Sequence, residues 1–199
     1  MSDAERDPMV LPPDLPVPED DGACDHLIGL GVPDIALPST AGEPVSLAAQ
    51  PAEWTIVYAY PRTGRPGEPD LTDDWDLIPG ARGCTPETCG FRDHHAELAD
   101  LGAAVYGLST QGTGYQRELV ARLDLPFPIL SDARLALTDA LRLPTLEVAG
   151  QVLLRRHTLV IGDGRIEHVF YPVFPPDRHA ADVVAWLRER TAAAQGSTG

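Results

Sequence analysis

IPGARGCTPETCGFRDHHAEL, residues 78–98, sets two cysteines, Cys84 and Cys89, at the start of what reads as a helix, and the rest of the chain reads as scaffold for it. Pro86 has no N–H and a fixed φ, so a helix can hold it only in its first turn, with Thr85 available as the cap. Cys84 is therefore expected at the helix N-terminus, where unsatisfied N–H groups and the positive end of the dipole favour the thiolate, the nucleophilic form. Arg82 is close enough in sequence to add to this effect. Cys89 follows five residues later, about 140° around a continuous helix and about 7.5 Å along it. The implied Cα separation is roughly 8 to 9 Å, more than the ~7 Å a disulfide tolerates. If the two cysteines form a redox pair, the first turns must unwind to join them, and Gly90 weakens the helix where it has to open.

Working outward, Trp54–Tyr60 is an apolar, β-branched and aromatic run ending at Pro61, as expected of a buried central strand. Residues 62–83, dense in Gly, Pro and Asp, form a long connection to the cysteine helix, with Trp75 as its hydrophobic anchor. That helix is expected to run to about Gly102, and Ala103–Ser109 follows as a second buried strand. Residues 114–124 have helical spacing, 127–130 read as a short strand, and Ser131 and Asp132 cap a helix that ends at Pro144. HTLVI and RIEHVFY flank Gly162, Asp163 and Gly164 as a hairpin, and 177–191 forms the last helix. Upstream, 34–37 and the residues after the turn at 41–43 suggest an N-terminal hairpin. The expected fold class is α/β, with a central mixed sheet and helices on both faces.

The ends and the totals bound the rest. The chain has 199 residues and a net charge of -15. All 15 basic residues are Arg, and so acidic a surface argues against nucleic acid or an anionic membrane as a partner. Residues 1–25 are a Pro- and acid-rich arm without apolar periodicity, expected not to order itself; Cys24 within it reads as a dispensable thiol. Residues 26–191 read as one domain and 192–199 as a disordered tail. Three cysteines make no disulfide framework. No secretory signal and no membrane span is visible, which points to the cytoplasm.

Several segments together resemble the peroxiredoxins, and among them the bacterioferritin-comigratory or Q type. They are Tyr58-Ala59-Tyr60-Pro61, Gly83 to Cys89 with Phe91-Arg92-Asp93, Leu125 to Asp132, and Arg156 to Ile161, in matching order over about 26–190. The resemblance implies a thioredoxin-like fold and an antioxidant thiol peroxidase that reduces hydrogen peroxide and organic hydroperoxides. It implies no cofactor and no metal, and recycling by a thioredoxin-type dithiol. It makes Cys84 the peroxidatic cysteine, Cys89 the resolving cysteine within the same helix, and Arg156 the active-site arginine. Since strand neighbours face opposite ways, only one of Arg155 and Arg156 can point at the site. An in-helix resolving cysteine needs no second chain, so a monomer is expected, with a dimer as the alternative.

The chain departs from the family's usual spacing of Pro, three residues, Thr or Ser, two residues, Cys. Ala81 holds the hydroxyl position, and Pro61 lies far upstream, making 62–83 an insertion. Pro61, which ends the strand, is expected over the thiolate, with Pro79 as the alternative. The hydroxyl that orients peroxide must come from elsewhere, with Thr63 and Thr85 as candidates. Three rival readings stand beside this one. A thiol-disulfide oxidoreductase or redox sensor would use the same pair, though without the Cys-x-x-Cys spacing. A metal site from Cys84, Cys89 and His94 or His95 lacks zinc-motif spacing. A non-catalytic interaction module would merely bury the thiols.

Overall fold

The protein is described by a computed structural model covering residues 9–196. A short hairpin of β1 (Ala36–Leu37) and β2 (Val45–Ser46) precedes β3 (Trp54–Ala59). After β3 come α1 (Cys84–Asp93), α2 (His95–Asp100), β4 (Ala103–Ser109), α3 (Thr113–Leu123) and β5 (Ile129–Ser131). The chain then forms α4 (Ala136–Leu141), β6 (Thr145–Val148), β7 (Gln151–Leu154), β8 (His157–Gly162), β9 (Arg165–Phe170) and α5 (His179–Gly196). The main sheet is mixed, in the order β5-β4-β3-β8-β9, with β3, β4 and β5 parallel and β8 antiparallel to both its neighbours. No described helix is long and apolar enough to cross a membrane.

Strand β3 is central because both its faces are apolar. Ile56 and Tyr58 join one core with Phe91 of α1, Leu119 of α3 and Val183 and Leu187 of α5; Val57 and Ala59 join another with Leu37, Leu137 and Leu141. The period-2 alternation of a strand thus lays helices on both faces of the sheet, as expected. Aromatic stacking ties α1 to β3, with the Tyr58 and Phe91 ring centroids 4.4 Å apart. The Tyr58 hydroxyl also donates to Thr88 Oγ1 at 3.3 Å.

The structure differs from the sequence reading at several places. The cysteine helix breaks at His94 (φ -93°, ψ 5°) and restarts as α2, with His94 Nδ1 2.9 Å from the Glu97 carboxylate. A hairpin of β6 and β7 is present where none is expected. Its turn, Ala149 and Gly150, has φ of 49° and 72°, and alanine is a poor signal for such a turn. The final helix runs on through Gly196, past the boundary expected at 191.

The largest correction is the arm. Its first eight residues lie outside the described ones, but residues 9–25 are laid along the domain. Leu11, Pro12, Leu15, Pro16 and Pro18 are half-buried, and Cys24 is 5% exposed in the core beside Leu27 and Val32. The arm has no periodicity of its own because it is an extended strap that borrows apolar surface from the domain. Its prolines also reduce the freedom it loses on docking. Burial, with Asp20, Asp21 and Asp25 nearby, pushes the Cys24 thiol up to about 12, so this cysteine is a core residue and a poor nucleophile.

The insertion 62–83 is also anchored. Trp75 is 4% exposed and packs with Ala81, Val148 and Leu153. Arg65 lies over the Tyr115 ring at 4.0 Å, and Arg122 donates to the Gly64 carbonyl at 3.0 Å.

Candidate active site

Sheet register brings the site together. Ala59 at the end of β3 pairs with His157 at the start of β8, so Arg156 falls beside the segment in which β3 gives way to Pro61. Across that gap α1 begins, with Cys84 as its first residue and Pro86 in its first turn. The residue before Cys84 is Gly83, in the left-handed region at φ 101°. Thr85 is therefore not the cap; Gly83 occupies that position and makes no side-chain bond.

Cys84 is 3% exposed. Its thiol points at the Ala81 carbonyl at 3.4 Å, and Arg156 Nη2 lies 3.2 Å from the sulfur. The same nitrogen donates to the carbonyls of Gly80 at 3.1 Å and Arg82 at 3.0 Å, which pins the guanidinium plane. Nη1 is held by the buried carboxylate of Glu87, one turn along α1 from Cys84. The Glu87 Oε1 atom has no hydrogen-bond partner among the described residues. Arg155 faces away, binding Asp21, Tyr171 and the Thr145 carbonyl, so the alternation expected of the two arginines is observed.

The electrostatics run against a simple expectation. Burial pushes the Cys84 thiol up, and the Glu87 charge adds to this; Arg156 and the Arg62 backbone N–H aimed at the sulfur pull it down but do not prevail. Glu87 is itself pushed up to about 7 by burial, against the attraction of Arg156. Arg156 stays charged: burial opposes its charge, but Cys84 and Glu87 outweigh it. The Arg82 side chain is turned to Asp70 and Asp76 of the insertion, each at 3.6 Å, while its backbone carbonyl accepts from Arg156.

The other expected residues divide. Pro61 is buried and the backbone N–H of the next residue pulls the Cys84 thiol down electrostatically, whereas Pro79 is exposed. Thr63 is buried but committed elsewhere, its N–H and hydroxyl both donating to Gln111 Oε1, at 3.0 and 3.1 Å. Thr85, 2% exposed, has a hydroxyl without a hydrogen bond among the described residues. Cys89 is 7% exposed, and its sulfur lies against Met9 Sδ at 3.8 Å and makes no disulfide with Cys84. Unbroken α1 between the two cysteines leaves the unwinding requirement in place. His94 pairs with Glu97, and His95 rests on Phe127 with centroids 5.8 Å apart. Among the described residues no group of three or more His, Cys, Asp or Glu could hold a metal ion.

Sequence reasoning missed Glu87 and the arm residues at the site. The signal for Glu87 was its position three residues after Cys84, on the same helix face; for the arm there was none.

Comparison with known proteins gives the following. The family model described as Redoxin matches residues 28–185. Peroxiredoxin Bcp of Escherichia coli (strain K12) is 30% identical over 166 residues, covering 79% of this chain and 92% of its own length. Chloroplastic peroxiredoxin Q of Arabidopsis thaliana is 24% identical over 160 residues, and the chain spans 66% of that protein's length. Among solved structures, peroxidoxin BcpB from Mycobacterium tuberculosis superposes with a TM-score of 0.65 at 27% identity, covering 81% of this chain and 96% of its own. Peroxiredoxin Q of Xanthomonas campestris, at 22% identity and TM-score 0.62, shares the fold over 88% of this chain and 98% of its own.

Proposed function

Because this chain belongs to the redoxin family, as a peroxiredoxin of the Bcp or Q type, we propose that it is a thiol peroxidase acting on hydrogen peroxide and organic hydroperoxides. The observation that carries this reading is Arg156 Nη2 at 3.2 Å from the Cys84 sulfur, at the first residue of a helix. The Cys84 thiolate attacks the terminal peroxide oxygen; the O–O bond breaks, and the other oxygen leaves as water or alcohol after taking a proton. Cys84 becomes a sulfenic acid. Arg156 and the Arg62 N–H are the donors for the charge that develops on the peroxide oxygens, and Thr85 is the hydroxyl still free to assist. Glu87 holds Arg156 in place.

The start of α1 then unwinds, the Cys89 thiol displaces hydroxide from the sulfenic sulfur, and a disulfide and water result. A thioredoxin-type dithiol reduces that disulfide by exchange and is itself oxidised. With both cysteines in one helix the cycle needs only one chain, which supports a monomer. The reducing power it needs supports a cytoplasmic setting, and the acidic surface speaks against a nucleic-acid role.

The test is thiol loss and intact mass after one equivalent of hydrogen peroxide, on wild type, Cys84→Ser and Cys89→Ser, followed by thioredoxin. The expected result is an intramolecular disulfide in wild type, no reaction in Cys84→Ser and a stalled sulfenic acid in Cys89→Ser. Slow and equal reaction of all three would overturn the peroxidase reading. Rapid reaction with a protein disulfide instead would favour a thiol-disulfide oxidoreductase on the same pair.

A further inference from the structure

The N-terminal arm lies along the segment that carries both cysteines. The Cys89 thiol points at Met9 Sδ, 3.8 Å away. Arg82 Nη2 lies 3.5 Å from the Val10 carbonyl, and Leu11 Cδ2 lies 3.0 Å from the point a Cβ on Gly83 would occupy. Pro18 comes within 3.8 Å of the corresponding point on Gly80. The partners of residues 9 to 18 thus run from 89 back to 80. They span the first turns of α1 and the residues leading into it, which is the part of the chain that unwinding must move.

The two ends of the arm are held differently. At its downstream end the Asp21 carboxylate accepts from Arg155 Nη1 at 2.6 Å and from the Tyr171 hydroxyl at 2.7 Å, and Cys24 is 5% exposed in the core. None of these partners belongs to α1. At the upstream end Met9 is 44% and Val10 59% exposed, and the half-buried Leu11 and the Met9 thioether make the contacts to the cysteine segment. A strap fixed at one end and lightly seated at the other can lift from the cysteines and stay tethered. All of it lies upstream of the segment, 28–185, that matches the family model.

Resting on the peroxidase reading, we propose that the arm is a strap that holds α1 wound and so sets how long the Cys84 sulfenic acid survives. Leu11 and Met9 are its positioning residues and act through the helix. To join Cys84, the Cys89 sulfur must leave Met9, and the unwinding turn must shift Gly83 from under Leu11. Both contacts are lost on the way to the disulfide, so their free energy adds to the cost of local opening. While α1 stays wound, a second peroxide competes for Cys84. The sulfenic sulfur attacks its terminal oxygen, the O–O bond breaks, the other oxygen leaves with a proton as water or alcohol, and Cys84 becomes a sulfinic acid, which thiols do not reduce. The strap thereby fixes the peroxide level at which the enzyme inactivates itself. Removing the Leu11 side chain speeds disulfide formation about 10-fold relative to sulfenic acid formation, the scale of one half-buried leucine.

The experiment takes the full chain as wild type, Leu11→Ala, Met9→Ala and Val17→Ala. Rapid quench after hydrogen peroxide, with intact mass after alkylation, follows the sulfenic acid, the disulfide and the sulfinic acid. Val17, 62% exposed on the same arm, is the control. In Leu11→Ala and Met9→Ala the disulfide step gains on the sulfenic step, and the ratio of sulfinic acid to disulfide at fixed peroxide falls by the same factor; Val17→Ala matches wild type. A second measurement compares thermolysin cleavage before Val10 and Leu11 in reduced wild type and in the disulfide form made with diamide, and the disulfide form is cut at least 10-fold faster. An unchanged or slower disulfide step in Leu11→Ala, or equal cleavage of the two forms, overturns the proposal. Failure of peroxide to oxidise Cys84 in wild type overturns the peroxidase reading itself, and the thermolysin comparison, which needs no peroxide, then decides the strap separately.

Discussion

Arg156 holds Nη2 3.2 Å from the Cys84 sulfur while its other terminal nitrogen is bound by Glu87, so one guanidinium reports the charge of each partner to the other. Glu87 pushes the Cys84 thiol up and Arg156 pulls it down. Glu87→Gln is therefore expected to shift the pH profile of Cys84 alkylation by iodoacetamide to lower pH, and Arg156→Gln to higher pH. Arg156→Gln also loses a donor to the developing charge, and its peroxide rate is expected to fall by about 100-fold or more. A shift of both profiles in one direction would contradict this division of roles.

Gly83 is the one position at the helix start where a side chain cannot fit. A Cβ there would lie 2.3 Å from Pro176 Cγ and 3.0 Å from Leu11 Cδ2, on a backbone at φ 101°. Gly83→Ala is expected to destabilise by about 2–4 kcal/mol, from left-handed strain plus the clash. A thermal melt checks it, and an unchanged midpoint would refute the contact.

Acid should unfold the protein through its buried histidines. Burial pushes His157 down to about 4 and His179 down to about 3, from an ordinary value of 6.5. Below 6.5 the unfolded chain binds these protons and the native one does not, so stability is lost as pH falls toward 4. Glu87 has the opposite sign: raised to about 7 from 4.5, it keeps a proton in the native state that the unfolded chain has released. The two effects leave about one net proton bound on unfolding between pH 4.5 and 6.5, and about two just below that window. Melting midpoints should rise slightly as pH falls through 7, where Glu87 alone takes up a proton in the native state, and then fall from about pH 6.5 to 4, less steeply in His179→Gln. A flat profile would contradict the burial of these rings.

Restoring the hydroxyl usual at position 81 should not help. The Ala81 methyl, 1% exposed, packs with Trp75, Val148 and Leu153 and not at the sulfur. Ala81→Thr adds a methyl and a hydroxyl to that cluster, with an expected cost of about 1–3 kcal/mol and no gain in peroxide rate. Urea melts and single-turnover kinetics test the two halves; a faster reaction at unchanged stability would place position 81 at the peroxide.

Two turns show what the sequence could and could not reveal. Asp163–Gly164 and Ala149–Gly150 both take two successive positive φ values, 48° and 70° in the first and 49° and 72° in the second. Only the first is written in residues that prefer that conformation, so one hairpin was legible and the other was not. Strand alternation likewise singles out Arg156 over Arg155, because it depends only on neighbours in the chain. The arm escaped the same logic: its burial comes from contact with Gly83, Gly80 and Cys89, more than 60 residues away, and leaves no local pattern. Thr63 looked available because its engagement with Gln111 is equally remote in sequence.

The unbroken helix between Cys84 and Cys89 gives the proposed cycle an unusual solvent sensitivity. Each turnover contains a small unfolding event and its reversal, so the joining of the two sulfurs responds to the agents that act on folding. Urea well below the denaturing range should speed disulfide formation from the sulfenic acid, and an excluded osmolyte such as trimethylamine oxide should slow it. The attack on peroxide, made with α1 intact, should be indifferent to both.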